Sequence, residues 1–497
     1  MKFSKLIHSL PFAVTLGGDD HMMDDLTHIS NDSRQVRAGS IFVCIKGAIS
    51  DGHNYALAAY ENGCRVFVAA RPLPLPQDAA VLITADTRTA LAVLSARLYR
   101  NPSEELHVVG ITGTKGKTTT ALMVAHILNQ SGIPAGYIGS NGVEYGKYHF
   151  ATVNTTPESC DIQRYLRDMV SAGIRVCVIE VSSQALKLAR VHGLKFDLCA
   201  FTNLSPDHIS AHEHPDFEDY KACKAALFRD YAHQYVVYNA DDPHAEDVVC
   251  GSHATPIRIA LHHRADYYAD HISLLREEGK LGLQFRMRSR KGAYTVTLPF
   301  PGVFSVYNAL TAAAICHRFG LSDQQIAHAL GSVVISGRFE VVELPNGATV
   351  VIDYAHNGIS LRSALETLRQ YNPNRLICLF GSVGGRTQMR RAELGRVAAE
   401  LADLCILTAD NPDCEPPQNI IRDIAQSFGK DSCPYLEIPD REAAIVHAVS
   451  TALPGDIILL AGKGHERYQI IAGKHFPFCE REIVARETLR MALSSTL

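Results

Sequence analysis

The chain has 497 residues, of which 46% are hydrophobic and 20% are charged, as is typical of a folded protein with about two to four domains. Its formal net charge of −4 and the absence of any lysine or arginine run exclude a broad electrostatic surface for nucleic acid or for an anionic membrane. The 13 cysteines form neither a C-x-x-C pair nor a metal-ligand spacing, which favours reduced thiols in the cytoplasm over a disulfide framework. No apolar stretch is long enough to span a membrane, and His8 and Pro11 interrupt the apolar run that a signal peptide would need.

The first block of the sequence alternates short strands with helices. The apolar run at 40–45 predicts a strand, and the patterns at 55–62 and 87–99 predict two helices. The Asn-Pro-Ser sequence at 101–103 is typical of a linker. We therefore predict a small N-terminal α/β domain over residues 1–102.

The second block opens with the run VGITGTKGKTTT, an apolar strand that leads through a glycine-rich loop into a helix. Gly113 and Gly116 allow the backbone to turn its N–H groups toward a polyphosphate, and the helix directs its positive N-terminus at the same charge. Lys117 is expected to neutralise the β- and γ-phosphates, and Thr118 to bind Mg²⁺. Ile111 stands where the strict phosphate-loop pattern has its first glycine, so a plain connecting turn is the alternative.

Two further apolar runs in this block, at 176–181 and 198–202, predict buried strands. Apolar strands that alternate with helices indicate a mainly parallel sheet covered on both faces. Glu180 ends the first of these strands and His208 follows the second, so both side chains are expected beside the phosphate loop. A carboxylate and an imidazole there can complete a Mg²⁺ shell, whereas each alone could be an ordinary surface group.

The third block begins near Ser336 and repeats the alternation of strands and helices. Its predicted strands are 350–353, 376–380, 405–408 and 457–460. Each strand ends in a polar loop, and in parallel sheets ligands bind at the carboxyl ends of the strands. We predict an α/β protein of three domains, with a central phosphate-loop domain over 103–335 and a Rossmann-like domain over 336–497.

The order of these motifs resembles that of the Mur ligases, most closely the UDP-N-acetylmuramoyl-tripeptide synthetase (MurE-type) branch. The resemblance covers nearly the whole chain, which makes it far more specific than any single motif. The matching segments are 31–34 (NDSR), 51–53 (DGH), 113–118 (GTKGKT), 154–157 (NTTP), 180–186 (EVSSQAL), 202–208 (TNLSPDH), 220–228 (YKACKAALF), 307–309 (YNA), 337–340 (GRFE), 353–356 (DYAH), 410–412 (DNP) and 462–466 (GKGHE).

The resemblance implies a domain for the uridine nucleotide, a central ATPase domain and a C-terminal domain for the amino acid. It implies ATP, Mg²⁺ and a CO₂-derived carbamate on Lys224, although helical spacing alone would make Lys221 and Lys224 solvated charges. The implied substrates are UDP-MurNAc-dipeptide, ATP and a diamino acid. The implied protein is a cytoplasmic monomer that binds neither nucleic acid nor membrane.

The resemblance also assigns site residues. The catalytic residues are expected to be Lys117, Lys224 and His208, and the metal ligands Thr118, Glu180, His208 and Lys224 as its carbamate. The ATP contacts are expected to be Gly113, Thr114, Lys115, Gly116, Lys117, Thr118, Thr119, Asn308, Arg338 and Asp353. The contacts to the UDP-sugar peptide are expected to be Ser33, Asn154, Thr155, Thr156, Ser182 and Arg190. The amino-acid contacts are expected to be Arg391, Asp410, Asn411, Pro412, Asp413, Gly462 and Glu466.

The implied reaction is ADP-forming amide ligation. The γ-phosphate passes to the terminal carboxylate of the UDP-linked peptide, and the incoming amine attacks the resulting acyl phosphate. Mg²⁺ and Lys117 neutralise the developing phosphoryl charge. Closure of the domains is expected to bring the amine to the acyl phosphate and to exclude water.

One position bears on the identity of the amino acid. Branches that use meso-diaminopimelate carry an arginine directly after Asp-Asn-Pro, where it can hold the distal carboxylate. Asp413 stands there, which predicts L-lysine or a similar diamine, because a carboxylate attracts a distal ammonium. A solvent-facing Asp413, with meso-diaminopimelate as acceptor, is the alternative. Arg391 is expected to hold the acceptor's carboxylate, although the neighbouring Arg386 and Arg390 leave its register open.

Two other functions compete with this prediction. A nucleotide-hydrolysing switch or binding protein has no need for the motifs at 410–412 and 462–466. A folylpolyglutamate-type ligase shares the phosphate loop and the modified lysine, but it lacks the uridine-binding first block. The segments at 32–34 and 51–53 therefore argue against it.

Overall fold

The structure is a computed structural model that describes residues 1–8, 14–17, 25–47, 50–207, 209–210, 213–277, 280–290, 292–385 and 388–494. It divides into two compact units, Met1–Tyr268 with Leu310–Leu321 and Ala269–Ala309 with Ser322–Leu497. Both contain helices and mainly parallel sheets, which confirms the predicted α/β class. Within the described ranges, every helix is too short or too polar to cross a membrane.

The N-terminal part of the first unit is a small α/β layer. Its elements are α1 (Phe3–Ile7), β1 (Val14–Leu16), β2 (His28–Ser30), β3 (Ser40–Val43), α2 (Ala56–Glu61), β4 (Val66–Ala69), β5 (Ala80–Ile83) and α3 (Thr87–Leu98). The sheet order is β1-β5-β4-β3-β2, with β1 antiparallel and the others parallel. α3 begins after Asp86, whose carboxylate accepts from the N–H groups of Arg88 and Thr89.

The central part of the first unit is the predicted parallel sheet. Its elements are β6 (His107–Thr112), α4 (Lys117–Gln130), β7 (Ala135–Gly139), β8 (Gly142–Tyr145), β9 (Tyr148–Phe150), α5 (Ser159–Ser171), β10 (Val176–Glu180), α6 (Ser183–Lys187), β11 (Phe196–Phe201), α7 (Phe217–Ala226), β12 (Ala232–Asn239), α8 (Ala245–Val249) and β13 (Thr255–Ala260). The order is β13-β12-β11-β6-β10-β7-β8-β9. The strands are parallel from β13 to β7, and β8 and β9 add an antiparallel edge.

The strand before the phosphate loop, β6, lies between β10 and β11. The register pairs Glu180 with Ile111 on one side, and Phe201 with Thr112 on the other. The carboxyl ends of the three strands therefore lie at the same edge, where the loops that follow them meet. This confirms the predicted placement of Glu180 beside the phosphate loop.

The helix that carries Lys221 and Lys224 is short. α7 ends at Ala226, and the chain continues as a π-helical turn over Leu227–Tyr231. Leu227 and Phe228 in that turn are fully buried in the central core. Burial of these two apolar side chains offsets the weaker geometry of a π turn.

The second unit is built around a Rossmann-like sheet. Its elements, in chain order, are β14 (Tyr267–Glu277, which begins in the first unit), β15 (Lys280–Ser289), β16 (Gly292–Leu298), α9 (Phe304–Arg318, which ends in the first unit), α10 (Asp323–Ser332), β17 (Glu340–Glu343), β18 (Thr349–Asp353), α11 (Gly358–Arg369), β19 (Leu376–Phe380), α12 (Gln388–Leu401), β20 (Leu404–Leu407), α13 (Pro417–Ala425), β21 (Tyr435–Glu437), α14 (Arg441–Ser450), β22 (Ile457–Ala461), β23 (Tyr468–Ile471), β24 (Lys474–Pro477) and α15 (Glu480–Ser494).

The sheet order in the second unit is β17-β18-β22-β19-β20-β21. All neighbours are parallel except β17 and β18, which are antiparallel. The last strand of this sheet, β22, thus lies between β18 and β19. The polar loops after β18, β20 and β22 consequently open at one edge of the sheet, as the sequence predicts.

Candidate active site

The loop between β6 and α4 has the backbone that a phosphate loop needs. Gly113 has φ 149° and Gly116 has φ 84°, and both values favour glycine. A Cβ atom on Gly113 would overlap Thr202 Oγ1. Lys117 Nζ donates to the carbonyl oxygens of Gly113 at 2.8 Å and Thr114 at 3.0 Å. The loop therefore fits a polyphosphate, because its glycines leave room and its lysine already lies along it.

The loop after β11 holds the phosphate loop in place. Asn203 accepts from the N–H of Thr114 through its carbonyl oxygen, at 2.8 Å, and from the N–H of Lys115 through Oδ1, at 2.9 Å. Thr202 Oγ1 donates to the carbonyl of Lys115 at 2.6 Å. These bonds fix the loop's shape before any ligand binds.

Alanine at Gly113 is expected to weaken ATP binding about 10-fold or more, because the loop must shift to relieve both the overlap and the strained φ. Isothermal titration with ATP measures this change. Gly132→Ala is the matched control, because Gly132 also has a positive φ, 79°, but an added Cβ there has no atom within 4 Å. Equal ATP affinity in the two variants would contradict the fit of this loop to phosphate.

The Glu180 carboxylate is fully buried at the end of β10. Thr118 Oγ1 donates to its Oε2 at 2.9 Å, and the N–H of Ser140 donates to Oε1 at 2.9 Å. The hydroxyl of Tyr137 also donates to Oε1. A hydroxyl and an oriented carboxylate are the oxygen ligands that Mg²⁺ prefers, so these residues fit the predicted metal site. His208, the other predicted ligand from this edge, lies outside the described residues.

No sequence motif predicts the roles of Tyr137 and Ser140. Tyr137 is the middle residue of β7, the strand beyond β10, and Ser140 directly follows this strand. Both residues fix the orientation of the Glu180 carboxylate. The only signal in the sequence is a tyrosine within an otherwise apolar run. That pattern is more typical of an ordinary core residue.

Lys224 is buried, with 1% of its surface exposed, so the solvated charge that helical spacing predicted is wrong. Its Nζ donates to the carbonyl of Gly113 at 2.9 Å and lies 4.5 Å from the centre of the Tyr220 ring. Burial, and then the nearby charge of Lys117, hold the pKa of Lys224 well below its usual value. The structure therefore places a buried amine against the phosphate loop, in surroundings that favour its neutral form. Lys221, by contrast, forms ion pairs with Glu218 and Asp247.

The predicted contacts to the UDP-sugar peptide lie in several places. Thr156 Oγ1 donates to the carbonyl of Glu180 at 2.7 Å and accepts from the N–H of Ser182 at 3.1 Å. Arg190 donates to the carbonyl of Thr156 at 3.1 Å and to Glu158 at 3.0 Å. These predicted residues therefore meet next to the predicted metal site.

Three other predicted contacts to the UDP-sugar peptide remain, of which Thr155 directly precedes Thr156. Thr155 Oγ1 lies 3.0 Å from Ser140 Oγ, and Asn154 is exposed. Ser33 is half-buried in the loop after β2, where its carbonyl accepts from Asn62. Their roles stay predictions.

A chain of side chains around the buried His214, which lies in no predicted motif, links α6 to α7. Asp219 Oδ2 lies 2.6 Å from His214 Nδ1, and His214 Nε2 lies 2.9 Å from Ser183 Oγ. Lys187 donates to Asp219 Oδ2 at 2.8 Å. The chain holds the segment after Glu180 against the helix that carries Lys224.

Two of the predicted ATP residues of the second unit, Asp353 and Arg338, lie near the end of β18. Asp353 Oδ2 accepts from the N–H of Phe339 at 2.9 Å, and burial raises the pKa of Asp353. The guanidinium of Arg338 lies 5.0 Å from the centre of the Tyr354 ring. Among the described residues, the buried Nε of Arg338 has no hydrogen-bond partner, which leaves a donor for a ligand. Asn308 is buried on α9.

The loops after β20 and β22 share one buried cation. Lys463 is fully buried, and its Nζ donates to Asn411 Oδ1 and to Glu466 Oε2, both at 2.9 Å. It lies 3.7 Å from Asp410 Oδ1. Asn411 Nδ2 donates to Glu466 Oε2 at 3.0 Å. The predicted amino-acid residues Asp410, Asn411 and Glu466 are thus brought together, with Gly462 and Pro412 beside them in the same two loops.

Asp413 does not stand free beside these loops. Its Oδ1 accepts from the N–H of Gly473 at 2.7 Å, and its backbone bonds to Ile470 and Ala472. Its φ is 53°, so the chain turns the carboxylate toward the β23–β24 hairpin. The carboxylate thus serves the docking of the hairpin, which removes the basis for expecting it to select a distal ammonium.

Arg391 is almost fully buried and paired with two carboxylates. Its Nη1 donates to Glu415 and Asp423, both at 2.7 Å, and its Nη2 donates to Glu415 at 2.6 Å. Its predicted contact with the amino acid's carboxylate would have to compete with these pairs. Arg386, the neighbouring candidate, lies outside the described residues.

The chain matches three family models along its length. Residues 25–99 match the "Mur ligase family, catalytic domain", residues 111–316 the "Mur ligase middle domain" and residues 337–464 the "Mur ligase, glutamate ligase domain". Each match lies inside one of the three predicted domains.

Curated relatives match from end to end. The chain is 38% identical to a UDP-N-acetylmuramoyl-L-alanyl-D-glutamate–2,6-diaminopimelate ligase of Bacillus licheniformis, over 99% of this chain and 100% of the relative. It is 37% identical to the ligase of the same name from Geobacillus thermodenitrificans, over 97% of this chain and 98% of the relative.

Solved structures of this fold also match. One titled as a UDP-N-acetylmuramoyl-L-alanyl-D-glutamate–2,6-diaminopimelate ligase has a TM-score of 0.70 and 26% identity, over 99% of both chains. The ADP complex of the MurF ligase of Thermotoga maritima has a TM-score of 0.63 and 18% identity, over 95% of this chain and 100% of that chain, and shows the shared fold.

Proposed function

The chain belongs to the Mur ligase family, and on that premise we propose that it adds meso-diaminopimelate to UDP-N-acetylmuramoyl-L-alanyl-D-glutamate. As a Mur ligase it is an enzyme of peptidoglycan synthesis that uses ATP and Mg²⁺. The amino acid is the finer part of the proposal. It rests on the names of relatives that match over nearly their whole length.

We propose meso-diaminopimelate as the acceptor instead of L-lysine, the acceptor that was predicted from Asp413. The argument for lysine needed the Asp413 carboxylate to face the acceptor's distal ammonium. That carboxylate instead accepts from Gly473 N–H at 2.7 Å, which supports the alternative in which position 413 does not select the amino acid. In the loops nearby, the Lys463 ammonium also offsets part of the charge of Glu466 and Asp410. The region around these two carboxylates is therefore less negative than the carboxylates alone would make it.

Residues of the first unit have different roles in activating the terminal carboxylate of the UDP-linked peptide. The N–H groups of the phosphate loop hold the ATP phosphates, and Lys117 moves from the carbonyls of Gly113 and Thr114 to the transferring phosphoryl group. Thr118 and Glu180 would hold one Mg²⁺ and the modified Lys224 a second, and these ions would neutralise phosphoryl charge. Tyr137 and Ser140 hold the Glu180 carboxylate in one orientation, so little reorganisation is needed.

Lys224 acts in this proposal as a carbamate. The neutral amine adds to the carbon of CO₂: an N–C bond forms, the electron pair of one C=O π bond moves onto its oxygen, and a proton leaves the nitrogen to solvent. The product is an anion that offers oxygen to a hard cation, which an ammonium cannot do. Burial supports this step, because it lowers the pKa of Lys224 and so raises the fraction of amine that can react.

The acceptor amino acid is assigned to the loops after β20 and β22. Lys463 fixes Asn411 and Glu466 through two hydrogen bonds of 2.9 Å, so their oxygen atoms are positioned before the amino acid binds. The single observation that carries the ligase assignment is the joint presence of this cluster and the phosphate loop in one chain. A nucleotide-hydrolysing switch needs only the second.

Purified protein given ATP, Mg²⁺ and UDP-MurNAc-L-Ala-D-Glu is expected to use meso-diaminopimelate at least about 10-fold better than L-lysine, measured as kcat/KM. Mass spectrometry of the nucleotide product identifies the amino acid that was added. UDP-MurNAc-L-Ala, which lacks the terminal glutamate, is the control substrate and should give no product. A preference for lysine would overturn the choice of amino acid but not the ligase assignment. ATP hydrolysis without any amide product would overturn both.

Asp413→Asn tests whether the charge of Asp413 selects the acceptor amino acid. Asparagine removes the charge but keeps an Oδ1 that can accept from Gly473. The ratio of kcat/KM for the two amino acids should therefore stay within about twofold of the wild-type ratio. If the charge of Asp413 did attract a distal ammonium, this variant would lose activity toward lysine selectively.

A further inference from the structure

Outside the residues assigned so far, the second unit contains a buried ion pair next to the amino-acid loops. Arg441 begins α14 and Glu480 begins α15, and both side chains are fully buried. Arg441 Nε donates to Glu480 Oε1 at 2.9 Å. The pair lies in no motif that the sequence singled out, and its two members come from different helices.

The two terminal nitrogen atoms of Arg441 also bond to backbone, although Nη2 lies 2.8 Å from Glu480 Oε1 as well. Nη1 donates to the carbonyl of Ala409 at 3.0 Å, and Nη2 donates to the carbonyl of Ala461 at 2.8 Å. Ala409 directly precedes Asp410, and Ala461 directly precedes Gly462. One guanidinium therefore bonds to the backbone where each of the two amino-acid loops begins.

These two backbone positions are not neighbours in the sheet. β19 lies between β20 and β22, so no ladder hydrogen bond joins the strands from which the loops start. The Arg441 guanidinium bridges the carboxyl ends of both strands. Beyond that bridge, Lys463 of one loop bonds to Asn411 of the other. The distance between the ends of β20 and β22 therefore determines whether the bond between Lys463 and Asn411 forms.

The chemistry of the bridge requires arginine. A guanidinium is planar and donates in three fixed directions at once, whereas a lysine ammonium is a compact charge at the end of a flexible chain. Buried ion pairs are often replaceable by apolar residues without loss of stability, so stability alone is a weak reason for this one. The directions in which Arg441 donates provide a better reason, because they meet at the two loop origins.

We propose that Arg441, held by Glu480, is a positioning residue for the acceptor amino acid. It sets the distance between the loops 410–413 and 462–466 and thereby the shape of the cluster formed by Lys463, Asn411 and Glu466. The proposal rests on the proposed function, in which these loops bind the amino acid. A displacement of about 1 Å in a positioned nucleophile can cost on the order of 10²-fold in rate, so a small change in this distance is enough.

Arg441→Lys tests the proposal, because it keeps the positive charge and loses the fixed directions. The KM for the acceptor amino acid should rise about 10-fold or more and kcat for ligation should fall, whereas the KM values for ATP and the UDP-linked dipeptide stay within about twofold. A purely structural role would lower the melting temperature without this selective effect.

Arg375→Lys is the matched control. Arg375 also pairs with a fully buried carboxylate of the same sheet, through Nε and Nη2 to Asp456, and it also donates to a backbone carbonyl, that of Thr451. Arg375 and Asp456 directly precede β19 and β22, so this pair lies at the opposite edge of the sheet. Arg375 is itself 36% exposed, so the control should lose less stability than Arg441→Lys, and it should keep its KM for the amino acid.

The outcomes separate the two proposals. Unchanged acceptor kinetics in Arg441→Lys, or an equal rise of KM in Arg375→Lys, would overturn the positioning role while wild-type ligation stands. Absence of amide product from the wild-type protein would overturn the proposed function instead. If Arg441→Lys does not fold, Glu480→Gln decides. It keeps an acceptor for Nε but removes the charge, and it should raise the acceptor KM less, about threefold. No change in that variant would reject the proposal.

Discussion

Replacing Lys117 with alanine is expected to reduce kcat for amide formation about 10³-fold or more, because the transferring phosphoryl group loses its fixed cation. In the structure Lys117 Nζ already lies against the carbonyls of Gly113 and Thr114, at 2.8 and 3.0 Å, so the ammonium needs only a short movement to reach a phosphate. Single-turnover measurements of product, with ATP and Mg²⁺ saturating, isolate this step.

The control for Lys117→Ala is its melting temperature, which shows whether the variant is folded. α4 begins at Lys117 and continues for 14 residues, most of them buried on one side, so its packing does not depend on this side chain. An unchanged melting temperature together with the loss of turnover would confirm a chemical effect. Near-normal ligation in the variant would remove the phosphate loop from the mechanism.

Lys224→Ala is expected to be nearly inactive, and a small carboxylate such as acetate should restore part of the activity, because it can supply the missing oxygen ligand for Mg²⁺. Removal of dissolved CO₂ should also lower wild-type activity, and bicarbonate should restore it. Bicarbonate should have no effect on Lys224→Ala, because the amine that reacts with CO₂ is gone. Steady-state rates under controlled CO₂ measure all three effects.

Lys221→Ala is the matched control for the modified lysine. Lys221 lies on the same helix, three positions before Lys224, but forms ion pairs with Glu218 and Asp247 at the surface. Its loss should leave the rate within about twofold of wild type, since exposed ion pairs contribute little. Full activity of Lys224→Ala without rescue, in solution depleted of CO₂, would exclude the carbamate.

Most of the first site follows from local sequence. The glycine positions predict the phosphate loop, and the parallel sheet then brings Glu180 to it, since β10 is a direct neighbour of β6. Helical spacing predicted an exposed Lys224, and this was wrong. The same spacing does place Lys224 on the face of the helix that carries buried side chains. Tyr220, Leu227 and Phe228 are apolar side chains at the same helical face, and Lys224 belongs to that buried stripe.

The second site could not be predicted in the same way, because its contacts come from distant segments. Asp413 is oriented by Gly473, which lies 60 residues further along the chain. Arg391 is paired with Glu415 and Asp423, 24 and 32 residues away. A motif identifies which residues stand in a loop, whereas the direction of each side chain depends on what packs against that loop.

The carbonyl oxygen of Gly113 accepts from two amines, Lys117 at 2.8 Å and Lys224 at 2.9 Å. Two ammonium groups on one acceptor repel each other, and the charge of Lys117 is one cause of the low proton affinity of Lys224. In the proposed carbamate form of Lys224, the sign of this interaction would invert, because an anion would then lie beside the same cation. Lys117 would therefore favour the proposed modification twice, first by disfavouring the protonated amine and then by stabilising the carbamate. In terms of linkage, the proposed catalytic cation and the proposed metal ligand would form one cooperative pair.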